Sequence, residues 1–332
     1  MNMKERKLKL YLKTILKLIQ VYCWLRQPAN KERIIALFFM IPGIILLVPT
    51  FNFELTLIQS FLFQAMLLYG LLSAYWVYKA HYRVSLVNFV VFFSLLVKVS
   101  APIPTSSEFA LGQESIRIMQ FNVLTINNRF NSTIRSIQEK DPDFISFQEV
   151  SEPWAEALTE GLKENYPHFK IIKHHEASQG IAVFSKYPLS DLEYHEWSGT
   201  ANISGKVNIG ESKINFLSLH TRSPMNKRKW KIRNSHIEAA GNFVAERKGE
   251  FLVLGDFNTV PWDSQLNRFR KKTQLKDSRK KLTPTYPAWG PKYVAQIPID
   301  YIFHSKGISC QSLDSVQLTS DHEAVIGDFQ IL

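Results

Sequence analysis

Carboxylate, amide and imidazole side chains follow short apolar runs in the C-terminal two-thirds of this sequence of 332 residues. Six chain segments show this pattern, each at a point where a predicted strand gives way to a loop. If these strands end at the same edge of a sheet, the carboxylates repel one another unless a cation lies among them. Carboxylate and amide oxygens suit a hard cation such as Mg²⁺. The residues concerned are Asn122, Glu149, His220, Asp256, Asn258, Asp300, Asp321 and His322.

Taken singly, most of these residues also have a purely structural explanation. Asn122 is a common type of turn former at a strand end, and a lone histidine such as His220 is more often a core residue with satisfied hydrogen bonds. Asp300 is harder to explain, because a carboxylate within an apolar strand needs a partner. Residues 255–258, Gly-Asp-Phe-Asn, follow a predicted buried strand and form a specific pattern, with a plain Asx turn as the structural alternative. The order of the six segments is therefore more informative than any one residue.

Short apolar runs separated by turns predict the elements that position these residues. The proportion of predicted strands and helices indicates a mixed α/β domain that is rich in strands and has helices long enough to cover the faces of a sheet. The predicted strands are 116–122, 143–149, 169–174, 180–184, 203–208, 213–219, 251–255, 299–303 and 324–331. The predicted helices are 131–140, 153–165, 226–247 and 262–274.

The N-terminal third differs in composition from the rest of the chain. Residues 1–101 contain 12 basic and 3 acidic side chains, whereas the remainder contains 28 basic and 26 acidic ones. The net charge of +11 therefore belongs mostly to this third, and it does not make the remainder a nucleic-acid-binding protein. A hydrophobic share of 45% excludes a largely disordered chain, and the presence of only two cysteines excludes a disulfide scaffold.

Two uncharged runs, Ile34–Phe53 and Leu55–Tyr78, are each long enough to cross a hydrocarbon core of about 30 Å. A third run, Val84–Val97, is shorter and continues through Lys98 to Ile103. A cleaved signal peptide is disfavoured, because a second apolar run follows the first at once. We predict a basic segment 1–33 with an amphipathic helix, a membrane domain 34–103 with about three transmembrane helices, a linker 104–114 and a catalytic domain 115–332.

The basic residues predict the orientation of these spans. Nine of them precede the first span, none lies in the turn at residues 52–54, and Lys79 and Arg83 lie in the next turn. Because basic loops favour the cytoplasmic side, the N-terminus is predicted to be cytoplasmic. Three crossings then leave the catalytic domain extracytoplasmic, whereas a third run that does not cross would leave it in the cytoplasm.

The stretches that end the strands match a known pattern in the same order. They are Phe121-Asn122-Val123, Phe147-Gln148-Glu149-Val150, Leu219-His220-Thr221, Gly255-Asp256-Phe257-Asn258, Ile299-Asp300-Tyr301-Ile302 and Ser320-Asp321-His322. From Gln120 to its end the chain resembles the endonuclease/exonuclease/phosphatase superfamily. The resemblance implies a four-layer α/β sandwich of two packed mixed sheets, the DNase I-like fold, preceded here by a helical membrane anchor.

Three further stretches resemble the bacterial membrane-anchored members of that superfamily, which include VanJ-type glycopeptide-resistance proteins. They are Pro261-Trp262, Thr285-Tyr286-Pro287 and Ile297-Pro298-Ile299-Asp300. This part of the resemblance implies a multi-pass protein of the bacterial plasma (inner) membrane.

The superfamily's chemistry implies metal-assisted hydrolysis of a phosphoester or phosphoanhydride. By this resemblance Glu149 holds Mg²⁺, and Asp321 and Asn122 complete its oxygen shell, with Mn²⁺ as the alternative metal. The metal polarises a phosphoryl oxygen and stabilises the charge that develops on it.

The resemblance also implies catalytic roles for five residues. Asp256 positions or deprotonates the attacking water, and Asn258 orients the phosphate or the nucleophile. Asp300 holds His322, which contacts the phosphoryl group. His220 stabilises the transition state or assists the leaving group. The division of proton transfers between Asp256 and the two histidines stays open.

Basic runs flank the predicted site and suggest a phosphate-rich substrate or anionic lipid, although a charge run is usually only a solvated face. An outward-facing site near the bilayer favours a lipid-linked phosphate or pyrophosphate. The alternatives are an outward-facing nuclease, which the domain's modest net charge of +2 disfavours, and a non-catalytic binding domain. The basic residues are Lys227, Arg228, Lys229, Lys231, Arg233, Arg268, Arg270, Lys271, Lys272, Lys276, Arg279, Lys280 and Lys281.

Overall fold

The computed structural model describes residues 3–101 and 114–332 of the chain. Packing divides the chain into two units. The first, which we call the helical unit, comprises the described residues of 1–48 and 62–97, and the second, the sheet unit, comprises those of 49–61 and 98–332. The structural division thus differs from the predicted boundary at residue 103, and residues 104–113 of the predicted linker lie outside the described residues.

The helices of the N-terminal third are α1 (Met3–Arg26), α2 (Pro28–Leu47), α3 (Phe53–Ser60), α4 (Leu62–Tyr78) and α5 (Tyr82–Ser100). Among the described residues, only α5 is by itself long and apolar enough to cross a membrane, and α3 with α4 would pass as one span bent by 60°. Neither of the two longest uncharged runs therefore forms one continuous helix. The first run extends beyond the end of α2 at Leu47, and the helix of the second is interrupted at Phe61. The number of transmembrane helices stays a prediction.

Local sequence explains why α2 ends and α3 begins where they do. Val48 is extended, as expected of a residue that precedes a proline, and Pro49 follows it. The Asn52 side chain then accepts a hydrogen bond of 2.8 Å from the backbone N–H of Leu55 and caps α3. Glu54 lies in the first turn of α3, where a negative charge is favourable.

The helical unit is packed through small and polar side chains. Gly43 of α2 faces Val91 of α5 so closely that a Cβ at this position would lie 2.6 Å from a valine methyl group. Ser73 of α4 and Ser85 of α5 donate hydrogen bonds to each other's carbonyl groups at 3.1 and 2.9 Å. Large apolar side chains point outward, and Phe38 is 70% exposed. Small residues and hydroxyls between helices, with apolar residues outside, are typical of helices in a bilayer.

The sheet unit contains the predicted α/β domain. Its strands are β1 (Ser115–Asn122), β2 (Phe144–Gln148), β3 (His168–Ile172), β4 (Ile181–Ser185), β5 (Leu189–Trp197), β6 (Thr200–Ile209), β7 (Ser212–His220), β8 (Phe251–Asp256), β9 (Lys276–Asp277), β10 (Asp300–His304), β11 (Ile308–Val316) and β12 (Ala324–Ile331). Its remaining helices are α6 (Phe130–Lys140), α7 (Glu152–Leu162), α8 (Lys227–Ala245) and α9 (Ser264–Thr273).

In the described part of the chain these strands form two six-stranded mixed sheets, with the orders β11-β12-β1-β2-β4-β3 and β5-β6-β7-β8-β10-β9. One apolar core lies between the sheets and includes Phe144, Phe216 and Phe329. A second core packs α6 and α7 on the outer face of the first sheet, and a third packs α8 and α9 on the second. The layers are thus helix, sheet, sheet and helix, which confirms the predicted four-layer α/β sandwich.

Each of the predicted strands and helices of this domain is present, with ends within three residues of the prediction. Three strands were not predicted, namely β5, β9 and β11. All three lie at the edges of their sheets. An edge strand with one solvated face need not be strongly apolar, and β11 reads Ile-Ser-Cys-Gln-Ser-Leu-Asp-Ser-Val.

Candidate active site

The two sheets present their polar strand ends at one place. In the second sheet, β7 and β8 are parallel and end with His220 beside Asp256, and the antiparallel β10 begins there with Asp300 opposite Asp256. In the first sheet, the parallel strands β1 and β2 end with Asn122 beside Gln148. The shared carboxyl ends of parallel strands thus bring distant segments together, as the sequence predicted.

A cavity of about 230 Å³ opens at this edge. Six of the eight predicted site residues line it, namely Glu149, His220, Asp256, Asn258, Asp321 and His322. Asn122 and Asp300 are buried behind them and hydrogen-bond to residues of the lining. The structure therefore brings all the predicted site residues into one cluster.

Glu149 stands at the first-sheet side of the cavity in a left-handed backbone conformation, with φ of 59°. The backbone N–H and the hydroxyl of Thr125 each donate to its Oε2 at 3.1 Å. The Asn122 amide donates to Glu149 Oε1 at 3.1 Å and to Asp256 Oδ2 at 3.3 Å, while its own oxygen accepts from Leu124 N–H at 3.0 Å. Asn122 therefore bridges two carboxylates, and its role as a metal ligand stays a prediction.

Asp256 is held by the loop that follows it. Its Oδ1 accepts from the backbone N–H of Asn258 at 2.8 Å, and its Oδ2 accepts from the Asn258 side chain at 3.0 Å. The same amide group donates to the carbonyl of Thr221 at 2.9 Å. Gly255 has φ of 152°, and a Cβ there would lie 1.9 Å from the carbonyl oxygen of Leu219. Only glycine therefore fits before Asp256.

His322 is oriented by a buried carboxylate. Its Nδ1 lies 2.8 Å from Asp300 Oδ2, and its Nε2 lies 3.8 Å from Asp256 Oδ2. The second oxygen of Asp300 accepts from the Gln120 side chain at 3.0 Å. The ring of Tyr286 covers the imidazole, with centroids 4.7 Å apart. Asp300 thereby fixes which nitrogen of His322 faces the cavity.

Burial and neighbouring charges set the protonation of the site. Burial is the largest effect on Asp256 and, with the nearby Asp300, raises its pKa well above the ordinary value. Burial also lowers the pKa of His220, which therefore stays neutral. Burial alone would lower the pKa of His322, but Asp300 and Asp256 raise it to about 10, so this ring is an imidazolium.

The other carboxylates on the cavity wall differ from each other. Burial alone would raise the pKa of Glu149, but hydrogen bonds from the N–H of Thr125 and from Asn122, together with the charge of His322, lower it. Burial raises the pKa of Asp321. Carboxylates that converge so closely favour a divalent cation among them, because a positive charge offsets both burial and repulsion.

Two sets of side chains could bind that cation. Ligand atoms of Asp256, Asp300 and His322 lie within 4.8 Å of one another, so this buried group has metal-binding geometry. Both oxygens of Asp300 already accept hydrogen bonds, however, and a protonated His322 offers no lone pair. The oxygens of Glu149 and Asp321, which line the same cavity, are better suited to a hard metal.

The sequence analysis missed several residues of the site. Thr125 and Gln120 hold Glu149 and Asp300, and neither ends an apolar run in a way that draws attention to it. Arg222 lines the cavity and forms a bidentate pair with Glu176, at 2.7 and 2.9 Å. Its place two residues after His220 was the available signal.

The basic runs are only partly a surface feature. Lys229 lines the cavity. Arg233 and Arg279, in contrast, are 1% and 4% exposed, and they pair with Asp263 and Asp277 respectively. The interpretation of these two arginines as surface charges that attract substrate is therefore wrong, because their guanidinium groups are used inside the domain.

Comparisons with known proteins agree with this fold. Residues 119–322 match the model of the Endonuclease/Exonuclease/phosphatase family. The comparison with curated proteins found no match. Among solved structures, an endonuclease/exonuclease/phosphatase from Beutenbergia cavernae DSM 12333 is similar, with a TM-score of 0.55 and 16% identity over 66% of this chain and 72% of that one.

Two further solved structures have named activities or ligands. Sphingomyelinase C from Streptomyces griseocarneus has a TM-score of 0.52 and 13% identity over 65% of this chain and 99% of its own. D. rerio TDP2, complexed with single strand DNA product, has a TM-score of 0.55 and 13% identity over 65% and 99% of the two chains. Similarity at this level of identity establishes a shared fold.

Proposed function

Because the chain belongs to the endonuclease/exonuclease/phosphatase family, we propose that it is a metal-dependent phosphoesterase anchored in a bacterial plasma membrane. Its substrate is a phosphoester or pyrophosphate on the extracytoplasmic side, with the lipid-linked class as the first candidate. The observation that carries the proposal is the convergence of carboxylates, amides and two histidines on one cavity of about 230 Å³. A purely structural cluster would not bury like charges so close together without a cation.

The residues of the cavity divide the chemistry among them. When a divalent cation is bound by Glu149 and Asp321, with Asn122 as a candidate ligand, it polarises a phosphoryl oxygen. Asp256 positions the attacking water and accepts its proton, and its raised pKa makes it a stronger base. Asn258 holds Asp256 through two hydrogen bonds, at 2.8 and 3.0 Å.

The two histidines act on the phosphoryl group from their different charge states. His322, protonated and held by Asp300, donates to a phosphoryl oxygen and stabilises negative charge there. His220 is neutral, and its Nε2 lies 3.6 Å from Asp256 Oδ2. It can therefore share the proton that Asp256 accepts from the attacking water.

The membrane and substrate parts of the proposal have separate support. Large apolar side chains of the helical unit are exposed, which favours a bilayer around them. Basic residues before α2 and in the α4–α5 turn favour a cytoplasmic N-terminus and an extracytoplasmic sheet unit. The cavity is smaller than a typical drug-sized pocket and has Lys229 and Arg222 on its wall, which suits a phosphate or pyrophosphate group.

A nuclease is the second candidate, since D. rerio TDP2 in complex with single strand DNA product has a similar fold. The net charge of +2 on residues 102–332 disfavours it.

The test is turnover by the full-length protein in detergent, with undecaprenyl pyrophosphate and supercoiled plasmid assayed side by side. Mg²⁺, Mn²⁺ and a chelator are compared, and Asp256→Asn is the control. Release of phosphate from the lipid that needs the metal and is lost in the control supports the proposal. Plasmid nicking alone would replace it with the nuclease, and no turnover of either substrate would contradict the lipid-linked assignment.

A further inference from the structure

The connection between α2 and α4 packs inside the sheet unit, although it lies between two apolar helices in the sequence. We call residues 49–61 the connecting segment; it contains α3. The indole N–H of Trp230 donates to Thr56 Oγ1 at 3.0 Å, and that of Trp262 donates to the carbonyl of Gln59 at 2.6 Å. Thr56 and Gln59 are 2% and 0% exposed. Both residues of the connecting segment are therefore buried within the sheet unit.

A second contact joins the start of the connecting segment to α9. Thr50 donates from its hydroxyl to Asp263 Oδ2 at 3.2 Å, and the same hydroxyl accepts from the backbone N–H of Ser264 at 2.7 Å. Asp263 caps α9 by accepting from the N–H of Gln265 at 2.7 Å. Thr50 and Asp263 are both buried, so neither oxygen has water to replace a lost partner.

The contact continues from Asp263 to the catalytic loop. Arg233 lies 3.7 Å from Asp263, and it donates to the carbonyl of Asn258 at 3.1 Å. Asn258 in turn holds both oxygens of Asp256. Arg233 is 1% exposed, and a buried guanidinium needs each of its partners. A chain of buried and partly buried polar contacts thus runs from Thr50 to Asp256.

We propose that the connecting segment is a structural part of the phosphoesterase, and that Thr50 acts through Asp263 and Arg233 as a positioning residue for Asp256. The first part is independent of the catalytic chemistry. The second part rests on the proposed function. Both parts predict that the enzyme is incomplete when it is cut off from its N-terminal third.

The first part constrains the membrane topology. Residues 49–61 and 98–332 belong to one folded unit, so they must lie on the same side of any membrane. The chain between them, α4 and α5, therefore crosses an even number of times. Lys79 lies in the turn between these helices and Arg83 lies in the first turn of α5, and both favour a cytoplasmic turn. If both helices cross, the connecting segment and the catalytic cavity are extracytoplasmic together.

Cysteine labelling tests this part without any activity assay. Cys23 and Cys310 are replaced by serine, and single cysteines are placed by Glu54→Cys, His81→Cys and Lys306→Cys at exposed positions. Cells are treated with a membrane-impermeant maleimide before and after permeabilisation. We expect positions 54 and 306 to be labelled from outside, and position 81 only after permeabilisation.

The labelling outcomes separate the two proposals. Positions 54 and 306 on opposite sides of the membrane would overturn the inference that the connecting segment belongs to the sheet unit. All three positions on one side would support that inference and overturn the membrane crossing of α4 and α5 instead.

Thr50→Val tests the positioning part in the full-length protein. The change keeps the shape of the side chain and removes both hydrogen bonds of its hydroxyl. With bis(4-nitrophenyl) phosphate as probe, we expect kcat to fall about tenfold and KM to stay within about twofold, because the catalytic loop is displaced and the substrate contacts are intact. Thr50→Ser, which keeps the hydroxyl, should restore kcat.

Thr159→Val is the matched control, since it removes the 2.7 Å hydrogen bond from Thr159 to Ala155 in α7. It should leave kcat unchanged. If Thr50→Val does not fold, Asp263→Asn alters the next contact of the same chain, that with Arg233, and the same loss of kcat is expected. A folded Thr50→Val protein with wild-type kcat would overturn the positioning role. A wild-type protein that turns over no phosphoester would overturn it together with the proposed function, and the labelling result would still stand.

Discussion

His220 and His322 lie on two sides of one carboxylate and have opposite charge states. Their Nε2 atoms lie 3.6 and 3.8 Å from Asp256 Oδ2, and both rings are 4% exposed. The pKa of His220 is nevertheless lowered, whereas that of His322 is raised to about 10. The difference arises from one contact, because only His322 has a carboxylate, Asp300, at 2.8 Å.

The comparison shows that burial alone does not decide the charge of a histidine. A buried imidazole is neutral unless a carboxylate lies at hydrogen-bonding distance from it, and that carboxylate must itself be held by a donor. Asp300 satisfies this condition through Gln120. The site can therefore offer one cationic donor and one neutral ring to the same phosphoryl group, which is an arrangement suited to general acid–base chemistry.

Removing the carboxylate that the two rings share should have the largest effect. In Asp256→Asn the water loses its base, and we expect kcat to fall by about 10³-fold or more. The protein should be at least as stable as the wild type, because burial and Asp300 raise the pKa of Asp256 and its ionised form is costly. The measurements are kcat and the thermal unfolding temperature of the same preparation, which check the predicted loss of activity and the predicted stability respectively. A variant with wild-type kcat would contradict the role of Asp256.

Asp300→Asn should give His322 the same neutral charge state as His220. The change keeps the shape of the side chain, but it removes the charge that keeps His322 protonated. We expect kcat to fall by about 10²-fold, somewhat less than in Asp256→Asn, because the general base is still present. The measurement is kcat together with the pKa of His322 followed by NMR.

A matched control exists for Asp300→Asn in the same domain. Asp277 is also buried and pairs with Arg279, which stacks on the ring of Tyr301 at 4.1 Å. Asp277→Asn should reduce stability and leave kcat unchanged. Equal losses of kcat in the two variants would mean that Asp300 acts only through the stability of the fold.

The positions of the proposed catalytic side chains could be predicted because strand ends gather at one edge of a sheet. Glu149, Asp256 and His322 each follow or precede a buried strand, and their types are unusual there. Gln120 could not be identified in this way. It lies inside β1, and its partner Asp300 is 180 residues away in the sequence. Its importance depends on how the two sheets pack, which a local pattern does not encode.

The connecting segment shows the same limit more clearly. The sequence analysis assigned the start of this segment to the first predicted span, Ile34–Phe53, and its end to the second, Leu55–Tyr78. Thr56 and Gln59 are instead bound by Trp230 and Trp262, which lie far along the chain. The breaks at Pro49 and Asn52 were visible in the sequence as turn signals, but the partners of the segment were not. The edge strand β11 was not predicted for a similar reason, because its strand conformation depends on its pairing with β12.

A third buried histidine, His236, lies outside the site and tests whether burial without a nearby carboxylate keeps an imidazole neutral. It has no carboxylate neighbour at hydrogen-bonding distance among the described residues; its Nε2 lies 2.7 Å from Asn202 Oδ1 and its Nδ1 lies 2.7 Å from Thr200 Oγ1. Burial lowers its pKa to about 3. The unfolded chain takes up a proton near pH 6.5 and the folded one does not, so the stability that His236 contributes is complete above pH 6.5 and is lost as the pH falls towards 3.

We expect the contribution of His236 to the free energy of unfolding to fall by about 2 kcal/mol when the pH is lowered from 7 to 5. The measurement is the free energy of unfolding of wild type and His236→Gln at both pH values, and the deficit of the variant should shrink by that amount at pH 5. Thr200→Val, which keeps the imidazole, should retain the wild-type pH dependence. A deficit that is the same at both pH values would show that burial does not keep His236 neutral.

Gln120→Met should produce the smallest of these effects and is the most specific test of the comparison. Gln120 donates to Asp300 Oδ1 at 3.0 Å and to Gln148 at 2.7 Å, and it does not line the cavity. Methionine fills a similar volume without a donor, so Asp300 would keep His322 but lose its own support. We expect kcat to fall about tenfold with KM unchanged, because one hydrogen bond to a buried carboxylate is lost. If kcat is unchanged, Asp300 holds His322 without help, and the charge difference between the two histidines depends on that single contact.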